Sequence, residues 1–241
     1  MSISSLARSS PSNLISSFRS AILVGVASVV AAFTGSTNAQ VLYSSNFQSG
    51  NTAGWSSSQL FVDDIGRRVL GAFENQTVAL SLGTQPAGQY TISFDLFTIS
   101  SWDGLSSNGP DRFRAFVDAT PLIDAIFANQ IDAFNLMQTY SPLTPLGGPA
   151  VAAGTGAIAQ NELVIVRSIV IPNFTYRPSF TIQHGGGGLM FSFQGVVTQP
   201  GRVWNGFIDE PWALDRVVVI PSPSAAALLG LGALLAARRR R

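Results

Sequence analysis

The chain predicts an all-β fold: an antiparallel β-sandwich of jelly-roll type, flanked by an N-terminal signal helix and a C-terminal membrane-sorting helix. Two observations predict the sandwich. Apolar and polar residues alternate with period two in seven short runs, the pattern of strands with one buried face. Clusters of Gly, Pro, Asn and Asp stand between those runs at the spacing of antiparallel hairpins, and no amphipathic helix intervenes. A third observation, a short apolar run near each end of the chain, predicts the two helices. The boundaries that follow are 1–39 for a signal peptide, 40–220 for the sandwich and 221–241 for a sorting signal.

In chain order, Arg8 and Arg19 lie in a Ser-rich opening, and the apolar run from Ala21 to Phe33 has the length of a signal-peptide core rather than of a ~20-residue span. Thr37-Asn38-Ala39 supplies the cleavage site, so the mature chain is expected to begin at Gln40. The strand-like runs are Val78–Leu82, Tyr90–Phe97, Phe113–Val117, Leu163–Ile171, Phe180–Ile182, Leu189–Phe193 and Leu214–Val219. Turn signals fall at Gln85–Gly88, Ser107–Asp111, Asp118–Pro121, Gly185–Gly188 and Gln199–Gly201. Asn135–Gln160, rich in Pro, Gly, Ala and Thr, breaks the rhythm and reads as one long mobile loop. The tail joins Pro221-Ser222-Pro223 to an apolar run from Ala225 to Ala237 and then to Arg238, Arg239, Arg240 and Arg241. Such a run makes a helix of roughly 20 Å, short of the ~30 Å hydrocarbon core, and suits a temporary hold in the membrane with the arginines in the cytoplasm.

Charge excludes one class of function. All thirteen Asp and Glu lie between Asp63 and Asp215, whereas the stretch from Asp63 to Arg216 holds eight arginines, so the middle is net acidic and the overall +1 comes from the two ends. With no basic patch to release counterions from phosphates, a nucleic-acid partner is not expected. The absence of cysteine excludes disulfides, thiolate metal sites and thiol nucleophiles.

No catalytic motif stands out, and the protein is expected not to be an enzyme. A lone histidine, His184, precedes Gly185–Gly188 and reads as a turn residue beside a flexible tip; no G-x-S-x-G elbow and no phosphate loop is present. Carboxylates gather at turns: Asp103 beside Trp102, Asp111 after Gly109-Pro110, Asp209-Glu210 before Pro211-Trp212, and Asp215 in the last run. They suit turn caps paired with Arg112, Arg114 or Arg216, a structural Ca²⁺ with hard oxygen ligands, or the acid–base pair of a glycoside hydrolase or lyase. Trp102 and Trp212 with Asp103 and Asp111 are the candidate sugar-binding group, since aromatic faces stack on sugar rings; burial at the ends of the sandwich is the alternative for the four tryptophans, Trp55, Trp102, Trp204 and Trp212. Asn75-Gln76-Thr77 and Asn173-Phe174-Thr175 match the glycan-acceptor pattern.

The tail from Ile220 to Arg241 resembles the PEP-CTERM protein-sorting domain of Gram-negative and related bacteria, with Ser222 where the family name calls for Glu. The resemblance implies the secretory translocon, signal peptidase and an exosortase-type membrane transpeptidase as partners. It also implies transient inner-membrane anchoring before release to the cell surface or exopolysaccharide matrix. The body, notably Phe73–Val78, Ser93–Leu96, Ser101–Gly104, Gly109–Phe113 and Asp209–Val217, is similar to secreted lectin-like jelly-roll domains of such bacteria. That likeness implies extracellular polysaccharide as a ligand and a structural Ca²⁺ near the closing strand, with Asp209 and Asp215 at the matching positions. Asn46-Phe47-Gln48 stands where the family carries an acidic residue after its first strand.

Overall fold

The structure, a computed structural model, describes residues 40–129 and 136–222. The expected signal helix (1–39) and most of the sorting signal, Pro223 and Arg238 to Arg241 included, lie outside the described residues. Strands come first as β1 (Tyr43–Ser45), β2 (Leu60–Val62), β3 (Arg68–Phe73), β4 (Thr77–Gln85), β5 (Gly88–Ile99), β6 (Arg112–Val117) and β7 (Thr120–Ile126). Short pieces follow: β8 (Met137–Gln138), β9 (Val151–Ala152), β10 (Ala157–Gln160) and β11 (Asn173–Tyr176). The chain closes with β12 (Ser179–His184), β13 (Gly187–Val196), β14 (Val203–Trp204), β15 (Phe207–Ile208) and β16 (Trp212–Pro221).

Two antiparallel sheets form the sandwich. In the larger, β5 and β16 run side by side from Trp212↔Thr98 to Pro221↔Tyr90. Beyond β5 lie β12 along its first half and β11 along its second; beyond β16 lie β3 at its start and β1 at its end. The smaller sheet has the order β4-β13-β6-β7. The four-strand orders β3-β16-β5-β12 and β4-β13-β6-β7 are two interleaved Greek keys, the jelly-roll arrangement. Alternation builds the shared core: Phe113, Ala115 and Val117 of β6 and Phe191 and Phe193 of β13 are buried, while the residues between them face outward. Phe94 meets Phe193 across the sheets at 5.1 Å, and Phe113 meets Trp212 at 5.2 Å.

The turn signals are in the right places, but only one of the five, Asp118–Pro121, closes a hairpin. Gln85–Gly88 carries the chain from the smaller sheet to the larger and Gly185-Gly186 carries it back, whereas Asp118-Ala119 does close the β6–β7 hairpin. Leu163–Ile171 is not a strand. It lies over the outer face of the larger sheet, where Leu163, Ile165 and Ile171 join Val69, Phe97, Ile99 and Ala213 in a second apolar cluster. A covering segment needs the same alternation of inward and outward residues as a strand, without the ladder. Residues 136–160 are not one loop either: they contain β8, β9 and β10, and Tyr140 stacks on Phe127 at 4.5 Å. Buried Gln138 ties the segment down, donating to the carbonyls of Tyr140 (2.8 Å) and Thr155 (3.0 Å) and accepting from the Gly154 N–H (3.1 Å).

Candidate functional site

β5 and β16 end at the same pole, one at its C-terminus and the other at its N-terminus. The loop that leaves β5 for β6 and the loop that arrives at β16 therefore cross there, and each brings acidic residues. Asp103 follows Trp102 in the first loop, Asp111 closes that loop, and Glu210 precedes β16 by two residues. One carboxylate oxygen from each of the three lies within 4.8 Å of the others. All are covered: Asp103 is 8% exposed, and Asp111 and Glu210 are 0% exposed.

Backbone donors hold two of these groups. The Asp111 Oδ2 accepts the Asp103 N–H at 2.5 Å and its Oδ1 accepts the Thr198 N–H at 3.2 Å, so one side chain fixes both ends of its own loop and the strand exit opposite. Gly104 and Gly109 make that tight loop feasible, since a Cβ on Gly104 would strike the Met137 carbonyl and one on Gly109 the Gly104 carbonyl. Glu210, at φ 58°, accepts the Gln199 N–H on Oε2 at 3.3 Å; its Oε1 is buried and has no hydrogen-bond partner. Burial first, then the neighbouring carboxylates, push Glu210 up to about 8. Burial likewise pushes Asp111 up to about 6, and burial and the Asp209 charge raise Asp103. Arg202 acts on Asp103 from a distance and lowers it somewhat, but its Nε pairs at 3.7 Å with Asp209 rather than with any of the three.

The structure brings together Asp103 and Asp111 and adds Glu210, a residue the sequence-based site omitted. No periodic pattern singles it out, because Glu210 lies before β16 in a left-handed conformation (φ 58°), where strand alternation does not decide which way a side chain faces. Asp209 turns instead to Ser100 and Ser101. Asp215 is paired with Arg67 at 2.9 Å. The expected calcium ligands Asp209 and Asp215 thus do not meet, and a guanidinium occupies the carboxylate that the ion would need.

Trp102 and Trp212 offer no face to a sugar. Both are 0% exposed, and their indole N–H groups are committed, Trp102 to the Pro211 carbonyl at 3.0 Å and Trp212 to the Glu74 carbonyl at 2.8 Å. They are the pins of the pole: the first ties the residue before Asp103 to the residue after Glu210. Trp55 is partly buried, with its N–H 2.6 Å from the Tyr43 hydroxyl. Of the two glycan-acceptor sequences, Asn173 is buried and donates to the Leu163 carbonyl at 2.9 Å. Asn75 bridges both backbone groups of Val197. His184 is not a turn residue: it ends β12, paired with Gly88, and is buried against Tyr90, 3.3 Å from the Gly187 carbonyl.

No family model and no curated protein matches the chain. Solved structures similar to it include the CBM22-1 xylan-binding domain from Paenibacillus barcinonensis Xyn10C, at 13% identity and a TM-score of 0.34, over 76% of this chain and 95% of that one. A second is the carbohydrate-binding module CBM6cm-2 of Cellvibrio mixtus lichenase 5A in complex with cellotriose, at 12% identity and a TM-score of 0.29, over 76% and 99%. A third is dimeric latent PorU from Porphyromonas gingivalis, at 10% identity and a TM-score of 0.34, over 64% and 10%.

Chemically, three covered carboxylates within 4.8 Å of one another offer oxygens of the hard kind that Ca²⁺ takes.

Proposed function

We propose that the protein is an exported, non-enzymatic β-sandwich, destined for the cell surface or extracellular matrix and sorted through its C-terminal segment by an exosortase-type system. The observation that carries this reading is where the ends of the sandwich emerge. β1 pairs with the end of β16 (Tyr43↔Val219), and the Ser222 N–H bonds the Gln89 carbonyl at 2.8 Å, so the chain enters and leaves at one pole. β16 spans ten residues, about 33 Å at ~3.3 Å per residue, so a body held by residues 223–241 presents the Asp103–Asp111–Glu210 pole away from its anchor. Pro221 is the last residue of β16, and a transpeptidase acting beyond it leaves every ladder intact. Mass spectrometry of the protein recovered from its host tests the reading, with Gln40 expected at the N-terminus and the arginines lost. Replacing Arg238 to Arg241 by Ser should release unprocessed chain to the medium; unchanged retention sinks the proposal.

A second reading, polysaccharide binding, is favoured by the outer face of the smaller sheet rather than by the tryptophans. There Phe116, half-buried, stands opposite Ser192 on β13, and the next outward row is Gln194, Arg114 and Asp124. One ring edged by amide, guanidinium, carboxylate and hydroxyl groups suits a sugar. On a glycan array the full chain should bind and Phe116→Ala should not; equal signals from both would dismiss this face.

A further inference from the structure

We propose that Asp103, Asp111 and Glu210 bind a Ca²⁺ ion that joins the two sheets at the pole opposite the chain ends. This is independent of how the protein is sorted, and it uses residues other than the closing-strand pair Asp209 and Asp215. The three carboxylates supply the hard oxygens that Ca²⁺ takes, and no histidine or cysteine competes for a softer metal. Proximity alone would not make them a site. What points to a ligand is Glu210 Oε1, an oxygen of a 0% exposed side chain with no hydrogen-bond partner outside the acidic cluster itself, in a carboxylate whose other oxygen is already bonded to the Gln199 N–H. A buried carboxylate oxygen without a donor is costly, and a cation satisfies it and its two neighbours together.

The loops explain why calcium fits better than magnesium. The carboxylates come from the β5–β6 loop and from the residues before β16, and Asp111 is itself constrained by the N–H groups of Asp103 and Thr198. Such a set gives irregular ligand directions, which Ca²⁺ tolerates with six to eight oxygens, whereas Mg²⁺ demands a near-ideal octahedron. The ion would tie β5 and β16 of the larger sheet to β6 of the smaller. Trp102 sits next to Asp103 in sequence, and its indole bonds the carbonyl of Pro211, the neighbour of Glu210. An indole so close gives the site a reporter: Tb³⁺, a Ca²⁺ surrogate, should emit when tryptophan is excited.

The test uses the full chain, purified in mild detergent and stripped of metal. Addition of Ca²⁺ up to ~10 mM, the range that covers weak extracellular sites, should raise Tm by several degrees by mass action. Mg²⁺ at equal concentration should do much less, and Ca²⁺ should displace sensitised Tb³⁺ emission. Glu210→Gln should abolish the Tm shift and the emission while its metal-free Tm equals or exceeds that of the parent, because the amide matches the carboxyl in shape and cannot take on a buried charge. Asp103→Asn, at the least covered of the three, is the second variant should Glu210→Gln fail to fold, and it should weaken both signals. No Tm shift and no emission from the parent protein, or full retention of both in the variants, overturns the proposal.

Discussion

At Glu210 the backbone and the side chain are both in uncommon states: a left-handed φ of 58° and a carboxyl held up to about 8 from an ordinary 4.5. Asp111, up to about 6 from 3.8, shares the pocket, faced by Asp103 and, farther out, by Asp209 with Arg202. Both groups keep their protons to higher pH in the folded chain than in the unfolded one. The stabilisation this gives is complete below about pH 4, where both states are protonated, and is lost as pH rises through about 6 and then about 8. Metal-free protein should therefore show a falling denaturation midpoint between about pH 5 and pH 8. In Glu210→Gln the upper part of that fall should flatten, and a midpoint that climbs with pH in the parent would contradict the assignment. Two of the three residues were legible in the sequence, where turn chemistry marked Asp103 and Asp111; Glu210 was not, because it lies in a left-handed turn before β16 that carries no periodic signal. The tryptophans were misplaced as sugar platforms because adjacency to glycine and acidic residues says that a chain turns, not which way its ring faces.

The pairing of β5 with β16 sets Asp95 directly opposite Asp215, an arrangement in which like charges repel. Three arginines resolve it. Arg177 grips Asp95 with Nε at 2.6 Å and Nη2 at 2.9 Å, and Arg216 reaches the same carboxylate at 2.7 Å and Glu162 at 3.0 Å. Arg67 spans Glu162 at 2.8 Å and Asp215 at 2.9 Å, and its guanidinium lies 5.0 Å from the centre of the Phe97 ring. The bulge between Asp215 and Val218 makes Arg216 available: at φ 46° it turns the strand there, and β16 exchanges β3 for β1 as its neighbour. Arg177 and Arg216 are nearly half exposed, so solvent weakens their contribution, whereas Asp215 is only 2% exposed. Removing Arg67 should thus cost about 3 kcal/mol in chemical denaturation, because it strands a buried charge. The double variant Arg67→Ala/Asp215→Asn should recover much of the loss; a cost for Arg67→Ala below about 1 kcal/mol would mean the network is screened. The strands themselves were readable from alternation, but this network was not, because register decides which carboxylates face each other and no local pattern encodes register.

At the scale of the whole sandwich, sequence neighbours are seldom partners. β4 and β5 adjoin in the chain yet lie in different sheets, β12 and β13 do the same, and β16 closes against both β5 and the first strand. Local periodicity therefore pointed to a two-sheet all-β class, while the strand order emerged only from the structure. The covering segment 163–171 and the short strands within 136–160 escaped for the same reason: each is held by residues distant in sequence, Phe97 and Val69 in one case, Phe127 and Tyr176 in the other. This closure makes a topological prediction. The Leu42 N–H bonds the Val219 carbonyl at 2.9 Å, so residues 40 and 222 leave the sandwich side by side. A Gly/Ser linker of about six residues, reaching roughly 13 Å on average, spans adjacent ends. New termini belong at Gly185-Gly186, exposed and joining the sheets by backbone alone. Such a permutant of residues 40–222 should fold with the near-ultraviolet dichroism of the parent, since every ladder and both apolar clusters survive the cut. If it collapses without fixed aromatic signals while the uncut 40–222 chain folds, the β12–β13 crossover must form early as a covalent link between sheets. If neither folds, residues 1–39 or 223–241 supply part of the core, and the sandwich is not the independent body that display from a membrane requires.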